Sequence, residues 1–297
     1  MTQVILTYSA PFASLAEGEA RRIGLTPQQR LTPGVLLADT QASFDQLASQ
    51  LRKRPPVYFR HLHPVQNRPP KAPQTLRYPS PLLSQPFDPK QPALYAVQDY
   101  AGVVQPHQQL TPWPWGVPHF TPDPELVNRA EWKLLEAGYS FALPAGPGRA
   151  LDLGAAPGGW SRVLSRAGYQ VTAVDPRDLS WQSPQVVHHP TQAESYLSYH
   201  THERFDLITN DMWLTAEESA QIMVRAAPLL KPGGHAILSL KLGNLSEELE
   251  SRRGPLRRAL NLLRQAYRIP RLRQLFYNRN EVTAWLRPCS TGSRSSG

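Results

Sequence analysis

The sequence has one cysteine, Cys289, in 297 residues. That excludes an internal disulfide and any multi-cysteine zinc or iron–sulfur site, and it fits a reducing cytoplasm. No apolar run approaches the roughly 18–20 residues of a membrane span. The opening MTQVILTYSAPF lacks a basic segment and a long apolar core, so no signal peptide is expected. Acidic residues are short as well. Lys and Arg number 32 against 23 Asp and Glu, a net charge of +9. A surplus of that size favours a polyanionic partner, because Lys and Arg displace counterions from phosphates. Proline, in contrast, is abundant at 31 residues. Roughly half of it falls between Pro55 and Pro118, where regular elements are disfavoured.

Periodicity divides the chain. TQVILTY (2–8) reads as a strand and Phe12–Ile23 as a helix through Phe12, Leu15, Ala16, Ala20 and Ile23. Val35–Ala38 reads as a strand after Pro33-Gly34, and Phe44–Leu51 as a helix. This β-α-β-α order predicts a small α+β module over residues 1–65. Residues 66–118 read as a proline-rich linker or arm. Around it, Tyr58, Phe59, Arg60, His61, His63, Arg68, Lys71, Arg77 and Tyr78 either pack on a neighbouring domain or form an RNA-contacting face. From residue 119 to 288 strands alternate with helices. Helices are expected at Glu125–Ala137, Trp160–Ala167, Glu217–Leu229 and Pro255–Gln265. Strands are expected at Ala150–Leu153, Val171–Val174, Phe205–Thr209 and His235–Leu240, with a sharp turn at Lys231–Gly234. Leu272–Tyr277 and Glu281–Leu286 close the chain as a strand pair around Asn278–Asn280. The pattern predicts an α/β, doubly wound, mostly parallel sheet. The tail CSTGSRSSG (289–297) has the composition of a disordered segment.

Two sets of residues carry chemistry. In LDLGAAPGGW (151–160) a short apolar strand runs into Gly154, Ala155, Ala156, Pro157, Gly158 and Gly159, then into a helix opening at Trp160. Small residues there let backbone approach a ligand at the carboxyl end of the first strand. Asp175 ends the second strand, at an offset that suits the hydroxyls of an adenosine ribose. The spacing is not that of G-x-G-x-x-G. The second set is Lys133, Asp211, Lys241 and Glu281. Asp211 and Lys241 follow the strands FDLITN and HAILSL, which puts both at the same sheet edge. A hydroxyl is a poor nucleophile, so a lysine that takes its proton must be partly neutral. A neighbouring cation lowers its pKa, and carboxylates orient both amines.

The string DLGAAPGGW closely resembles the first motif of the FtsJ-type ribose 2′-O-methyltransferases. NRAEWKLLEA, TNDMW, LSLKLG and NRNEVTAWL are similar to four further motifs of that family. The resemblance implies a Rossmann-like methyltransferase sheet and S-adenosyl-L-methionine as cofactor. It also implies a tetrad of Lys133, Asp211, Lys241 and Glu281, with Lys241 as proton acceptor and Asp211 facing the methyl group as well. After Asp211 the family has a small residue and a proline, whereas this chain has Met212-Trp213-Leu214. Trp213 either reshapes the substrate pocket or stacks on a base. Where the family places an acid near the adenine, this chain aligns Gln192, which can accept from an adenine amine through its carbonyl. The N-terminal module and PPVYFRHLHPV more loosely resemble the RNA-binding extension of the bacterial large-subunit ribosomal RNA cytidine 2′-O-methyltransferases.

The resulting expectation is a cytoplasmic enzyme that methylates RNA, ribosomal RNA first, with no membrane partner. The alternatives are a methyltransferase for a base or small molecule, and an inactive RNA-binding protein of the same fold. Base amine methylation usually carries an Asn/Asp-Pro-Pro-aromatic loop, which Asn210–Trp213 lacks, and Cys289 is badly placed as a nucleophile. The pairs His61/His63 and His188/His189 lack a third ligand, so no metal is expected. Arg252, Arg253, Arg257, Arg258, Arg264, Arg268, Arg271 and Arg273 form either a solvated face or a phosphate-contacting surface.

Overall fold

A computed structural model describes residues 1–66, 92–118, 120–121, 123–243 and 249–289, with the backbone of 76–77. Arg68, Lys71 and Tyr78 of the expected arm, the side chains of Arg77, Arg252 and Arg253, and the tail beyond Cys289 lie outside the described residues. The chain forms two compact units. The first runs to Thr121 and includes Arg273–Phe276; the second holds the remaining described residues. Among the described residues no helix is long and apolar enough to cross a membrane.

In the first unit, β1 (Thr2–Tyr8), α1 (Ala13–Arg22), β2 (Thr26–Thr32), β3 (Val35–Thr40), α2 (Phe44–Lys53) and β4 (Phe59–Pro64) follow in order. The strands form an antiparallel sheet in the order β2-β3-β1-β4. Helix α2 starts on a capping box, in which Ser43 accepts from the Gln46 amide and Gln46 reaches back to that of Ser43. A second small sheet takes β5 (Leu76–Arg77), β6 (Ala93–Val97) and β7 (Tyr100–Val104), the last two as a hairpin.

Strands β2 and β4 are additions to the β-α-β-α expectation. TPQQRLT is mostly exposed and contains Pro27, which an edge strand tolerates because its outer N–H groups pair with nothing. FRHLHP looks polar, yet all six residues are buried. This decides between the two readings of Tyr58, Phe59, Arg60, His61 and His63, all of which pack inside the unit. His61 stacks on His63, and His63 contacts the Tyr95 and Trp115 rings. Arg60 donates to Gln274 Oε1 at 3.0 Å. None of the five presents a free RNA-contacting face.

The second unit holds α3 (Ala130–Phe141), β8 (Gly148–Leu153), α4 (Gly159–Arg166), β9 (Tyr169–Val174), β10 (Val186–His189) and α5 (Ala193–Tyr199). These are followed by β11 (Phe205–Asn210), α6 (Ala216–Ala226), β12 (Leu230–Lys241), α7 (Leu249–Leu263), β13 (Tyr267–Arg273) and β14 (Glu281–Pro288). Seven strands order as β10-β9-β8-β11-β12-β14-β13. The first five are parallel, and β14 runs antiparallel to β12. The fold is therefore the expected doubly wound α/β sheet with an antiparallel addition. Strand order reverses between β8 and β11, and open α/β sheets bind ligands at the carboxyl edge of that point.

Several bounds moved. Helix α3 begins at Ala130 rather than Glu125, because Asp123, Asn128 and Glu131 cap local backbone amides and turn the preceding segment. The Lys231–Gly234 turn is absorbed into β12, with Gly233 at positive φ and a register shift against β11. The penultimate strand lies earlier than expected, at Tyr267–Arg273.

Candidate active site

Four side chains meet at the carboxyl edge of β11 and β12. Lys241 ends β12 and Glu281 opens β14, and the two are directly opposed in the antiparallel register. Such opposed residues hold their Cβ atoms about 5 Å apart. Asp211 is the first residue past β11, the strand on the other side of β12. Lys133 enters from the first turn of α3.

The four form a closed ring of alternating charge. Lys241 Nζ lies 2.7 Å from Asp211 Oδ1 and 2.5 Å from Glu281 Oε2. Lys133 Nζ lies 2.9 Å from Asp211 Oδ2 and 2.6 Å from Glu281 Oε1. All four side chains are at most one-sixth exposed. Each amine thus sits between two carboxylates, and the charges sum to zero. This satisfies the rule that buried charges be paired.

The electrostatics differ from the expectation. Burial pulls the Lys241 pKa down, but the Asp211 and Glu281 carboxylates outweigh it and hold the amine above its ordinary value. Burial raises the Glu281 pKa, and the two lysines overcome it, leaving the carboxylate below its usual range. The second cation does not make Lys241 neutral here.

The glycine-rich turn stands beside this ring. Gly154 has φ +76°, and a Cβ there would fall 2.2 Å from Met212 Cγ, so the turn and the loop after β11 touch. Gly158, at φ +115°, caps α4. A Cβ on Gly159 would meet Asn128 Oδ1 at 2.5 Å. Two of these glycines therefore admit protein neighbours. Ala155 is buried, Ala156 is half-buried and Pro157 is exposed. Trp160 is buried and donates to the Ala130 carbonyl at 2.7 Å, which ties α4 to the helix that carries Lys133. Asp175 ends β9 buried; its Oδ2 accepts from the Ala156 amide at 3.1 Å and its Oδ1 from the Arg177 amide at 2.9 Å. Gln192 is exposed, at the N-terminus of α5. His188 Nε2 contacts the Asp175 carbonyl at 2.9 Å, and His189 packs edge-on to Tyr196.

Three neighbours escaped sequence reasoning. Asp152 lies fully buried under the turn, where Ser161 and Thr209 hydroxyls donate to its two oxygens at 2.7 and 2.8 Å. Burial raises its pKa to about 7, against those two bonds and with the help of Asp211 and Asp175. Arg162, 1% exposed, is clamped by Glu131 and Asp123 at 2.6 Å each and locks α3 to α4. Asn210 is buried beside Asp211; its Oδ1 accepts from the Met212 amide, and its Nδ2 has no hydrogen-bond partner among the described residues. Asp152 and Arg162 look in sequence like ordinary surface charges, and Asn210 like an ordinary polar residue at a strand end. Only the apolar strand around Asp152 hints at its burial.

A family model described as a methyltransferase domain matches residues 128–285, more than half of the chain. The chain belongs to the methyltransferase-domain family. Within that family, it resembles a protein named ribosomal RNA large subunit methyltransferase M from Stenotrophomonas maltophilia, at 32% identity over 191 residues, 60% of this chain and 51% of that one. An uncharacterized protein of Methanocaldococcus jannaschii is 32% identical over 126 residues, 42% of this chain and 36% of that one. A solved structure, the Methanococcus jannaschii fibrillarin pre-rRNA processing protein, is 12% identical with a TM-score of 0.43, covering 79% of this chain and 90% of that one. The chain spans about half the length of the ribosomal RNA methyltransferases it matches.

The methyl donor of this methyltransferase family is S-adenosylmethionine. The residues present fit it. Gly158 takes a conformation that a side chain would strain, and the turn it belongs to opens α4 at the point where strand order reverses. The Asp175 carboxylate, which accepts from the Ala156 and Arg177 amides and from Arg177 Nε, retains a lone pair for one further donor. The buried Asn210 Nδ2 offers an unused donor at the same strand edge.

Proposed function

We propose that this methyltransferase domain transfers a methyl group to a ribose 2′-hydroxyl of RNA, ribosomal RNA first, with Lys241 as proton acceptor. The single observation that carries the reading is the closed ring of Lys133, Asp211, Lys241 and Glu281 at the carboxyl edge of β11 and β12. Gly154–Trp160 and Asp175 are assigned to the cofactor, and the exposed Gln192 to the adenine end. S-adenosylmethionine would supply, when bound, an electrophilic methyl carbon, whose bond to the sulfonium sulfur breaks on transfer and leaves a neutral thioether.

What remains for the protein is to hold an oxygen in line and to take one proton. Lys241 can hold the hydroxyl by hydrogen bond once it gives up a carboxylate contact. As the oxygen–carbon bond forms, Lys241 Nζ accepts the hydroxyl proton. It must be neutral at that moment, and the ring holds it protonated at rest. Positive charge brought to the Asp211 side offsets the carboxylate field and lowers the Lys241 pKa, so that its resting proton passes to solvent. Lys133 and Glu281 keep both carboxylates and amines in register. The overall basic charge favours a polyanion. Arg257, Arg264 and Arg268, all exposed on α7 and just past it, are suitable phosphate contacts. The N-terminal unit and the proline-rich segment after it are assigned to RNA binding, like the extension in the group the sequence resembles.

The test is methyl transfer from labelled cofactor to ribosomal RNA purified from cells lacking the protein. The wild-type chain should label RNA in alkali-resistant dinucleotides, the mark of a blocked 2′-hydroxyl. Lys241→Ala should abolish labelling while leaving RNA binding unchanged. Transfer that survives in Lys241→Ala refutes the assignment of the proton acceptor.

A further inference from the structure

Trp213 is 93% exposed, whereas Trp115 and Trp160 are buried. A bare indole in water forgoes the burial that usually anchors tryptophan. Its backbone is nonetheless fixed on both sides. The preceding Met212 donates its amide to Asn210 Oδ1 at 3.0 Å and lies against Gly154. Two residues on, Thr215 forms the capping box that starts α6, paired with Glu218. The loop is rigid at its ends and presents one aromatic face to solvent. That face stands at the tetrad: Lys241 Nζ lies 5.9 Å from the ring centroid, within cation–π range.

We propose that Trp213 is the platform on which the base of the target nucleotide stacks while the 2′-hydroxyl of the same nucleotide reaches Lys241. This rests on the reading of the site as an RNA ribose methyltransferase. The geometry suits it, because base and 2′-hydroxyl are carried on a single sugar. A base platform must therefore stand within one ribose of the proton acceptor, as Trp213 does. RNA sequence is read chiefly on unpaired bases splayed onto aromatic side chains, and such stacking tolerates any base. Before substrate arrives, the Lys241 ammonium sits over the same ring.

The experiment compares wild type, Trp213→Ala, Trp213→Phe and Trp213→Leu in methyl transfer to ribosomal RNA from cells lacking the protein. Cofactor affinity is measured in parallel. Loss of a base stack should lower kcat/KM about ten- to a hundredfold in Trp213→Ala. Trp213→Phe should recover most of that loss and Trp213→Leu little of it, with cofactor affinity unchanged throughout. Full activity in Trp213→Ala, or equal rescue by Leu and Phe, overturns the stacking assignment and marks the ring as an apolar surface for a protein partner. Absence of ribose labelling by the wild-type chain overturns instead the reading on which it rests.

Discussion

Asp152 makes the molecule's stability depend on pH in an unusual direction. Its carboxyl is fully buried beneath the glycine-rich turn, and burial raises its pKa to about 7, from 3.8 in an unfolded chain. Between those values the folded state keeps a proton that the unfolded state has lost. Stability changes with pH in proportion to protons bound unfolded minus protons bound folded, and that difference is negative here. The methyltransferase unit should therefore lose stability as pH rises from about 4 to about 7. The integrated effect is on the order of 4 kcal/mol. Asp152→Asn removes the ionisation and keeps a polar group for the Ser161 and Thr209 hydroxyls. At pH 8 it should be the more stable protein, by up to about 4 kcal/mol, and near pH 3, below both pKa values, the two should be nearly equal. Amide hydrogen exchange of β8 and β11 in the full chain, followed across this pH range, reports the difference locally. A wild-type minus variant difference that stays flat from pH 5 to 8 would show that Asp152 ionises normally and that the argument from burial is wrong.

Three further outcomes follow from the same geometry. Arg162→Met should destabilise the methyltransferase unit by about 3–5 kcal/mol in chemical denaturation, because it leaves the buried Glu131 carboxylate without its partner; adding Glu131→Gln should restore much of the loss. The kcat/KM for RNA should climb with pH from about 7 towards 10, since Lys241 is held protonated by Asp211 and Glu281. Glu281→Gln should shift that limb to lower pH, and an unshifted limb would show that Lys241 is not the titrating group. In the N-terminal unit, burial lowers the His61 pKa to about 4. Its folded pKa lies below the unfolded 6.5, so stability should fall by on the order of 3 kcal/mol as pH drops through that window. His61→Phe should reduce the slope, read by hydrogen exchange in β4, leaving the part that comes from the buried His63, whose pKa burial also lowers.

Much of the methyltransferase unit was legible because its strands are apolar runs punctuated by glycine, the signature of parallel sheets buried on both faces. GRALDL, YQVTAV and FDLITN all lie where that pattern puts them. That Asp211 and Lys241 share a sheet edge was legible because both immediately follow such strands, whereas Lys133 and Glu281 were singled out only through the family motifs. The pairing of Lys241 with Glu281 depends on the register of β12 against β14, which no local pattern encodes. What stayed hidden was polar residues inside. FRHLHP was open in sequence between packing and an RNA-contacting face, yet all six residues are buried, with His61 and His63 stacked inside the first unit. TPQQRLT was missed for the opposite reason, since an edge strand needs no apolar alternation. The sequence expectation of a partly neutral Lys241 weighed the neighbouring lysine and gave the carboxylates only an orienting role, whereas the structure bonds Asp211 and Glu281 directly to its amine and their field prevails.

The central claim is that this methyltransferase domain modifies an RNA ribose through Lys241. The most direct measurement is mass mapping of ribosomal RNA from cells lacking the protein and carrying either the wild-type chain or Lys241→Ala. The account predicts that a ribose methyl group is missing without the protein, returns with the wild-type chain and stays missing with Lys241→Ala. Ribosomal RNA that loses no ribose methyl group, or loses a base methyl group instead, would contradict it.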